Sequence, residues 1–298
     1  MKFLLLGANG QVGHELRRSL APLGEIVATT RSGELPNGGR CEVADFDQPD
    51  SLDALVQRIA PDIVINAAAY TAVDRAEDEP EAAYRANALA PGVLAAACAR
   101  RDALLVHYST DYVFDGNATR PYREDDPTAP LGVYGASKLA GEQAIAASRC
   151  RHMIFRTAWV YGSHGNNFMR TMLRLATERD ELRVVADQFG TPTPAFLIAD
   201  VTASVLERKT FLSGLWHLTS AGETNWHSFA REIFLQASAR GMPDKSPEVL
   251  PITAAEYPTL ARRPAYSCLD TSRLQADFGV ELPDWRQALA QVFDTANL

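Results

Sequence analysis

Lysine is nearly absent from this chain. Of 29 basic residues only Lys2, Lys138, Lys209 and Lys245 are lysines, and the rest are arginines. Any chemistry that needs a primary amine must fall to one of these four. Cysteine is scarce too: Cys41, Cys98, Cys150 and Cys268 lie far apart, with no CxxC or Cys/His spacing. That argues against a metal site of the zinc type. It also departs from the disulfide framework of short secreted chains, so reduced, buried thiols are expected. No apolar stretch approaches the ~18 residues of a membrane span. The run MKFLLLGANG is too short for a signal peptide's apolar region and lacks a small-residue cleavage site. Positive charge is in deficit, with 29 Lys plus Arg against 37 Asp plus Glu and a net charge of -8. The deficit argues against nucleic acid as a partner and against a polybasic membrane patch. It leaves a small anionic ligand open, because net charge does not describe one pocket. With 46% hydrophobic and 22% charged residues, the expectation is a soluble, cytoplasmic, globular protein.

The 298 residues allow one large α/β unit or about two domains. Short apolar runs alternate with helical patterns through the first half. Strands are expected at 2–6, 25–30, 62–66, 104–109 and 153–156. Helices are expected at 11–23, 51–60, 81–100 and 134–148. This alternation implies a doubly wound parallel sheet of Rossmann type, an α/β fold with helices on both faces. The second half is less regular, with helices expected at 167–179, 196–209, 226–240 and 285–296 and a strand at 182–186. Residues 243–264 are proline-rich and read as loops with one strand. Residues 1–160 are expected to bind a dinucleotide. Residues 161–298 are expected to form mainly a smaller α+β substrate domain, with about 182–210 returning to the first.

After the first strand the chain reads Gly7-Ala8-Asn9-Gly10-Gln11-Val12-Gly13, then enters a helix. Glycine allows the positive φ of the tight turn and lets the backbone approach a diphosphate. The helix N-terminus offers free N–H groups to phosphate oxygens. Strand two ends Ala28-Thr29-Thr30-Arg31, without the acid that usually binds an adenosine ribose. Arg31 could form a charge-assisted bond to a 2′-phosphate, which favours NADPH over NADH. A solvated surface arginine is the other reading. Asp45 and Phe46 could meet the adenine, or be ordinary strand-end residues.

Tyr134 and Lys138 stand four apart within YGASK, on one face of a helix. With so few lysines, chance predicts only about 0.1 such pairs in the chain. A phenol becomes a useful proton donor or acceptor near neutral pH when a cation stabilises its phenolate. A long ammonium can also reach ribose hydroxyls. Upstream, the strand of His107-Tyr108-Ser109-Thr110-Asp111-Tyr112 carries Thr110 to the carboxyl edge of the sheet, where parallel sheets place ligands.

GxxGxxG, Asn66-Ala67-Ala68-Ala69, Ser109-Thr110 and Tyr134-xxx-Lys138 together resemble the extended short-chain dehydrogenase/reductase superfamily. STDYVF (109–114), PLGVYGASKLAGE (130–142), FRTAWVYG (155–162), DQFGTPT (187–193) and ARRP (261–264) narrow the resemblance to the dTDP-4-dehydrorhamnose reductase family. The resemblance implies NADPH-dependent reduction of dTDP-4-dehydro-L-rhamnose, for bacterial surface polysaccharide, with NADH as a second option. It implies Thr110, Tyr134 and Lys138 as catalytic residues. Gly7, Gly10, Gln11, Val12, Gly13, Thr30, Arg31, Asp45, Phe46, Ala67, Ala69, Tyr70, Thr71 and Tyr108 would border the cofactor. Thr110, Asp111, Tyr134 and Trp159 would touch the sugar nucleotide, though Trp159 reads equally as a core aromatic. Arg262 and Arg263 would bind its diphosphate or form surface ion pairs. Some members bind Mg2+ at a Glu-rich homodimer contact. Glu15 matches one such position, but Phe196 stands where a second Glu is expected. A dehydratase would need Asp-Glu where this chain has Asp111-Tyr112, and an epimerase usually has small residues there. A non-catalytic NADP-binding regulatory subunit would not need the intact trio.

Overall fold

The computed structural model describes all residues except 37, 209–210, 243–245 and 296–298. Its first half alternates strand and helix: β1 (Lys2–Leu6), α1 (Gln11–Leu20), β2 (Glu25–Thr30), β3 (Glu42–Val43), α2 (Asp50–Ile59) and β4 (Ile63–Asn66). Helices α3 (Val73–Asp78), α4 (Pro80–Tyr84) and α5 (Ala90–Arg101) lead to β5 (Leu104–Thr110), α6 (Val133–Ala147) and β6 (His152–Thr157). The second half runs β7 (Val160–Tyr161), α7 (Phe168–Glu178), β8 (Glu181–Val185), β9 (Phe189–Gly190), β10 (Thr193–Pro194) and α8 (Ala195–Glu207). It closes with β11 (Gly214–His217), β12 (Thr224–Asn225), α9 (Trp226–Ser238), β13 (Glu248–Ile252), α10 (Ser272–Phe278) and α11 (Trp285–Thr295).

The main sheet is parallel, in the order β11-β6-β5-β4-β1-β2-β3. Its central strands are apolar on both faces because both are covered. Phe3 and Leu5 join one core with α1, α8 and α10, while Leu4 and Leu6 join the other with α2 and α5. Strand order reverses between β1 and β4, which opens a crevice at their carboxyl ends. A third core lies among α7, α9, α11 and β8.

Two expectations need correction. The helix expected at 81–100 is broken: α4 and α5 flank a π-turn at Arg85–Leu89. Pro91, at the start of α5, cannot donate to an uninterrupted ladder. The π-turn carries Asn87, a fully buried amide that bonds both backbone groups of Tyr70 and the Ser137 hydroxyl. Within 182–210, only α8 lies against the main sheet. Strand β8 pairs with β13, and the strand that returns is β11, beside β6. The expected α8 end at Lys209 and the final helix's end at Ala296 lie outside the described residues, as do Pro243 and Lys245. The thiols are free as expected, with Cys98, Cys150 and Cys268 buried and Cys41 half-buried.

Candidate active site

The glycine turn is built for close approach. Gly7 has φ of 78°, and a Cβ there would lie 2.8 Å from the Ala68 nitrogen. A Cβ on Gly13 would lie 2.0 Å from the Gly7 carbonyl oxygen. Gly10 caps α1 with no side chain bonded to the first-turn N–H groups. A bare backbone cradle at a helix N-terminus at the sheet crevice fits a dinucleotide diphosphate. Gln11 and Val12 are half-buried in that first turn.

The other cofactor expectations sort by what each side chain touches. Arg31 is exposed, with Asp45 and Asp47 at 3.9 and 3.8 Å. Thr30 is buried, and its hydroxyl donates to the Glu34 carbonyl and accepts from the Glu34 N–H, so it is held within its own loop. Phe46 is buried, in the core cluster that also holds Leu6 and Leu52. Ala67 is half-buried, and Ala69 and Thr71 are exposed along the β4 exit, with the Tyr70 hydroxyl donating to Glu79 at 2.6 Å. The Tyr108 hydroxyl points away from the crevice and pairs with Thr202 on α8 at 2.9 Å. What Tyr108 offers the site is its carbonyl oxygen.

That carbonyl accepts from Lys138 Nζ at 2.6 Å. Lys138 is almost fully buried, one helical turn after Tyr134 on α6. Its other neighbour, His107 Nε2, is 3.4 Å away. Strand register places Asn66 of β4 beside His107 of β5. Asn66 Oδ1 accepts from the Ala68 N–H, so its amide nitrogen faces His107 Nδ1 at 3.0 Å. Nδ1 therefore accepts, and the ring proton sits on Nε2, facing the lysine. Burial holds His107 well below the usual imidazole range, with the lysine charge adding to it. Burial also pulls Lys138 down to about 8, partly opposed by Glu142. Neither Asn66 nor His107 was a candidate from sequence. A histidine inside the apolar run LLVHYS was the available signal.

Tyr134 is half-buried, and its phenol is pushed up to about 12, mainly by burial, against a hydrogen bond with Thr110. It is thus protonated at neutral pH. The Thr110 hydroxyl donates to Asp111 Oδ1 at 3.0 Å. Asp111 is buried, which raises its carboxyl to about 6 against hydrogen bonding from Ser267 and Thr110, and its Oδ2 makes no aligned hydrogen bond. An orphaned buried acceptor beside the trio fits a ligand hydroxyl.

Trp159 takes a left-handed backbone, φ 48°, between β6 and β7. Its ring stacks on Trp226 at 3.5 Å and 7°, and a Cβ on Gly190 would meet it at 2.4 Å. The ring is half-buried, packed yet reaching the surface. Arg263 is tied to Asp74 at 3.0 Å, and the same carboxylate accepts the Ala261 N–H. Arg262 is exposed.

The family model described as the RmlD substrate binding domain matches residues 1–298. The chain belongs to this family. It is 51% identical over 300 residues to a dTDP-4-dehydrorhamnose reductase of Burkholderia thailandensis, covering 97% of each chain. The Escherichia coli K12 enzyme of that name is 46% identical, with 100% of each chain covered. A solved dTDP-4-dehydrorhamnose reductase of Bacillus anthracis, in complex with NADP, superposes with TM-score 0.89 at 36% identity, covering 98% of each chain. No helix among the described residues is long and apolar enough to cross a membrane.

The Mg2+ that some members of the family bind does not fit the residues present. Phe196, standing where a second Glu would be, packs against two cores, and the groups beside Glu15 are the imidazoles of His14 and His164. Mg2+ needs near-octahedral oxygen ligands, which these do not supply.

Lys138 gives a test of the site's cost. Its folded pKa lies below the unfolded value, so burial of the charge destabilises the protein at neutral pH, and this is relieved as pH rises above about 8. A Lys138→Met variant therefore unfolds at the same temperature as wild type or higher at neutral pH, while turnover is lost. A fall of several degrees in Tm contradicts the assignment.

Proposed function

We propose that the chain reduces the C4 keto group of a dTDP-4-dehydro sugar, dTDP-4-dehydro-L-rhamnose, using NADPH and yielding dTDP-L-rhamnose. The observation that carries this is a phenol kept protonated one helical turn from a buried lysine, beside a threonine at the sheet's carboxyl edge. In this reading residues 1–160 hold the dinucleotide and 161–298 mainly the sugar nucleotide.

Bound NADPH would supply the hydride. The chain's own residues do the rest. The glycine turn receives the diphosphate on first-turn N–H groups. Lys138, anchored to the Tyr108 carbonyl, has two further N–H donors for ribose hydroxyls. Thr110 aligns the sugar carbonyl, and Tyr134 donates its proton to the C4 oxygen as charge develops there. The resulting phenolate is stabilised by the Lys138 charge. Asp111 Oδ2 accepts from a sugar hydroxyl, Trp159 borders the sugar, and Arg262 and Arg263 face the nucleotide diphosphate. Elimination of water would need a second carboxylate beside Asp111. Tyr112 fills that place and packs edge-on against Tyr134 at 5.6 Å. That favours the reductase over a dehydratase.

NADPH oxidation with dTDP-4-dehydro-L-rhamnose tests the reading. Tyr134→Phe lowers turnover about a hundredfold or more while NADP+ still binds; retention of more than a few per cent contradicts the proton-donor role. Arg31→Ala lowers catalytic efficiency with NADPH about tenfold, the scale of one lost charge-assisted bond, and leaves that with NADH unchanged. An equal loss with both cofactors contradicts a 2′-phosphate contact.

A further inference from the structure

Away from the catalytic trio, α1 and the loop after β7 bring three metal-ligating side chains together. His14, Glu15 and His164 each offer a ligand atom, all within 4.8 Å of one another. The two imidazole centroids are 3.9 Å apart, tilted by 55°. His164 Nδ1 is held by the Ser163 hydroxyl at 2.9 Å, which leaves Nε2 as the coordinating nitrogen. Nε2 is shielded from solvent and makes no aligned hydrogen bond, although Glu15 Oε1 lies 3.2 Å away. An imidazole oriented through one nitrogen, with the other aimed at a second imidazole and a carboxylate, is the arrangement of a metal ligand with its outer partner.

Charge around the cluster also bears on the assignment. Arg18 is offset by Asp200 at 2.7 Å as well as by Glu15. Two imidazoles and one carboxylate suit a borderline divalent ion and not Mg2+ or Ca2+.

We propose that His14, Glu15 and His164 bind a borderline divalent cation of the Zn2+ class, with water completing the coordination. The ion ties α1 to the 162–167 loop. That loop rests on the glycine turn: Asn167 Nδ2 donates to Gln11 Oε1 at 2.9 Å, and a Cβ on Gly165 would lie 2.9 Å from Gln11 Cγ. Fixing the loop stiffens one wall of the diphosphate cradle, so the ion and NADP+ strengthen each other's binding by the same factor. The metal site itself does not depend on the reductase reading; only this coupling rests on NADP+ binding at the glycine turn.

The test uses chelator-treated, full-length protein. Zn2+ is titrated by calorimetry and Co2+ by visible absorption. The expected result is one ion per chain, undisturbed by millimolar Mg2+. His14→Ala and His164→Ala each weaken binding at least tenfold, and Ser163→Ala weakens it about tenfold, as outer partners of metal-bound histidine do. Circular dichroism confirms that the variants are folded. Absence of saturable binding, or equal binding by the His14→Ala/His164→Ala double variant, overturns the site. NADP+ affinity that is the same with and without Co2+ overturns the coupling.

Discussion

A primary ammonium buried between a strand and a helix is the constraint around which this molecule is arranged. Lys138 has one good acceptor, the Tyr108 carbonyl, and faces an imidazole N–H rather than a counter-ion. Glu142, a buried carboxylate, lies one helical turn further along α6. It is held bidentately by Arg156 at 2.9 and 2.7 Å, with both side chains buried. The carboxylate that would neutralise the lysine is thus committed elsewhere. The ammonium keeps its unspent charge at a cost to stability. In the proposed mechanism that charge would lower the barrier to forming a phenolate on Tyr134, a local sacrifice of stability tolerated because the surrounding sheet is well packed on both faces.

The scaffold follows from the same need. Parallel strands with apolar residues on both faces bring Asn66, His107 and Thr110 to one carboxyl edge. Helix α6 delivers Tyr134 and Lys138 onto that edge, and the π-turn carrying Asn87 braces the β4 exit against α6 through Ser137. On the opposite side, Trp159 is held in a left-handed conformation by its stack on Trp226 and by the absence of a side chain at Gly190. A net charge of -8 is compatible with the polyanionic ligands of the proposed reaction because free backbone N–H groups at a helix N-terminus can receive phosphate locally.

Much of this was legible in the sequence, for physical reasons. Continuous apolar runs identify doubly covered strands. Glycines at 7, 10 and 13 mark a turn where Cβ atoms have no room. One of only four lysines sits four residues after a tyrosine. Other features depend on contacts between distant segments, which periodicity does not encode. The stack of Trp159 on Trp226 joins residues 67 apart, and the turn of Tyr108 toward Thr202 depends on α8 lying against the sheet. The side-chain contacts of Thr30 with the Glu34 backbone and the burial of Phe46 likewise follow from the folded loop and core rather than from periodicity. The break in the helix at 85–89 had a signal in Pro91 and Asn87, outweighed by the surrounding alanines.

The central claim is that Lys138 is a buried cation without a committed counter-ion, and its titration tests that directly. With only four lysines, NMR of lysine labelled at the ε position resolves each, and loss of one signal in Lys138→Met assigns it. In the ligand-free protein the account predicts a pKa of about 8 for Lys138. A Lys138 pKa near the ordinary ~10.4 would show that its charge is solvated or paired, and would contradict the account.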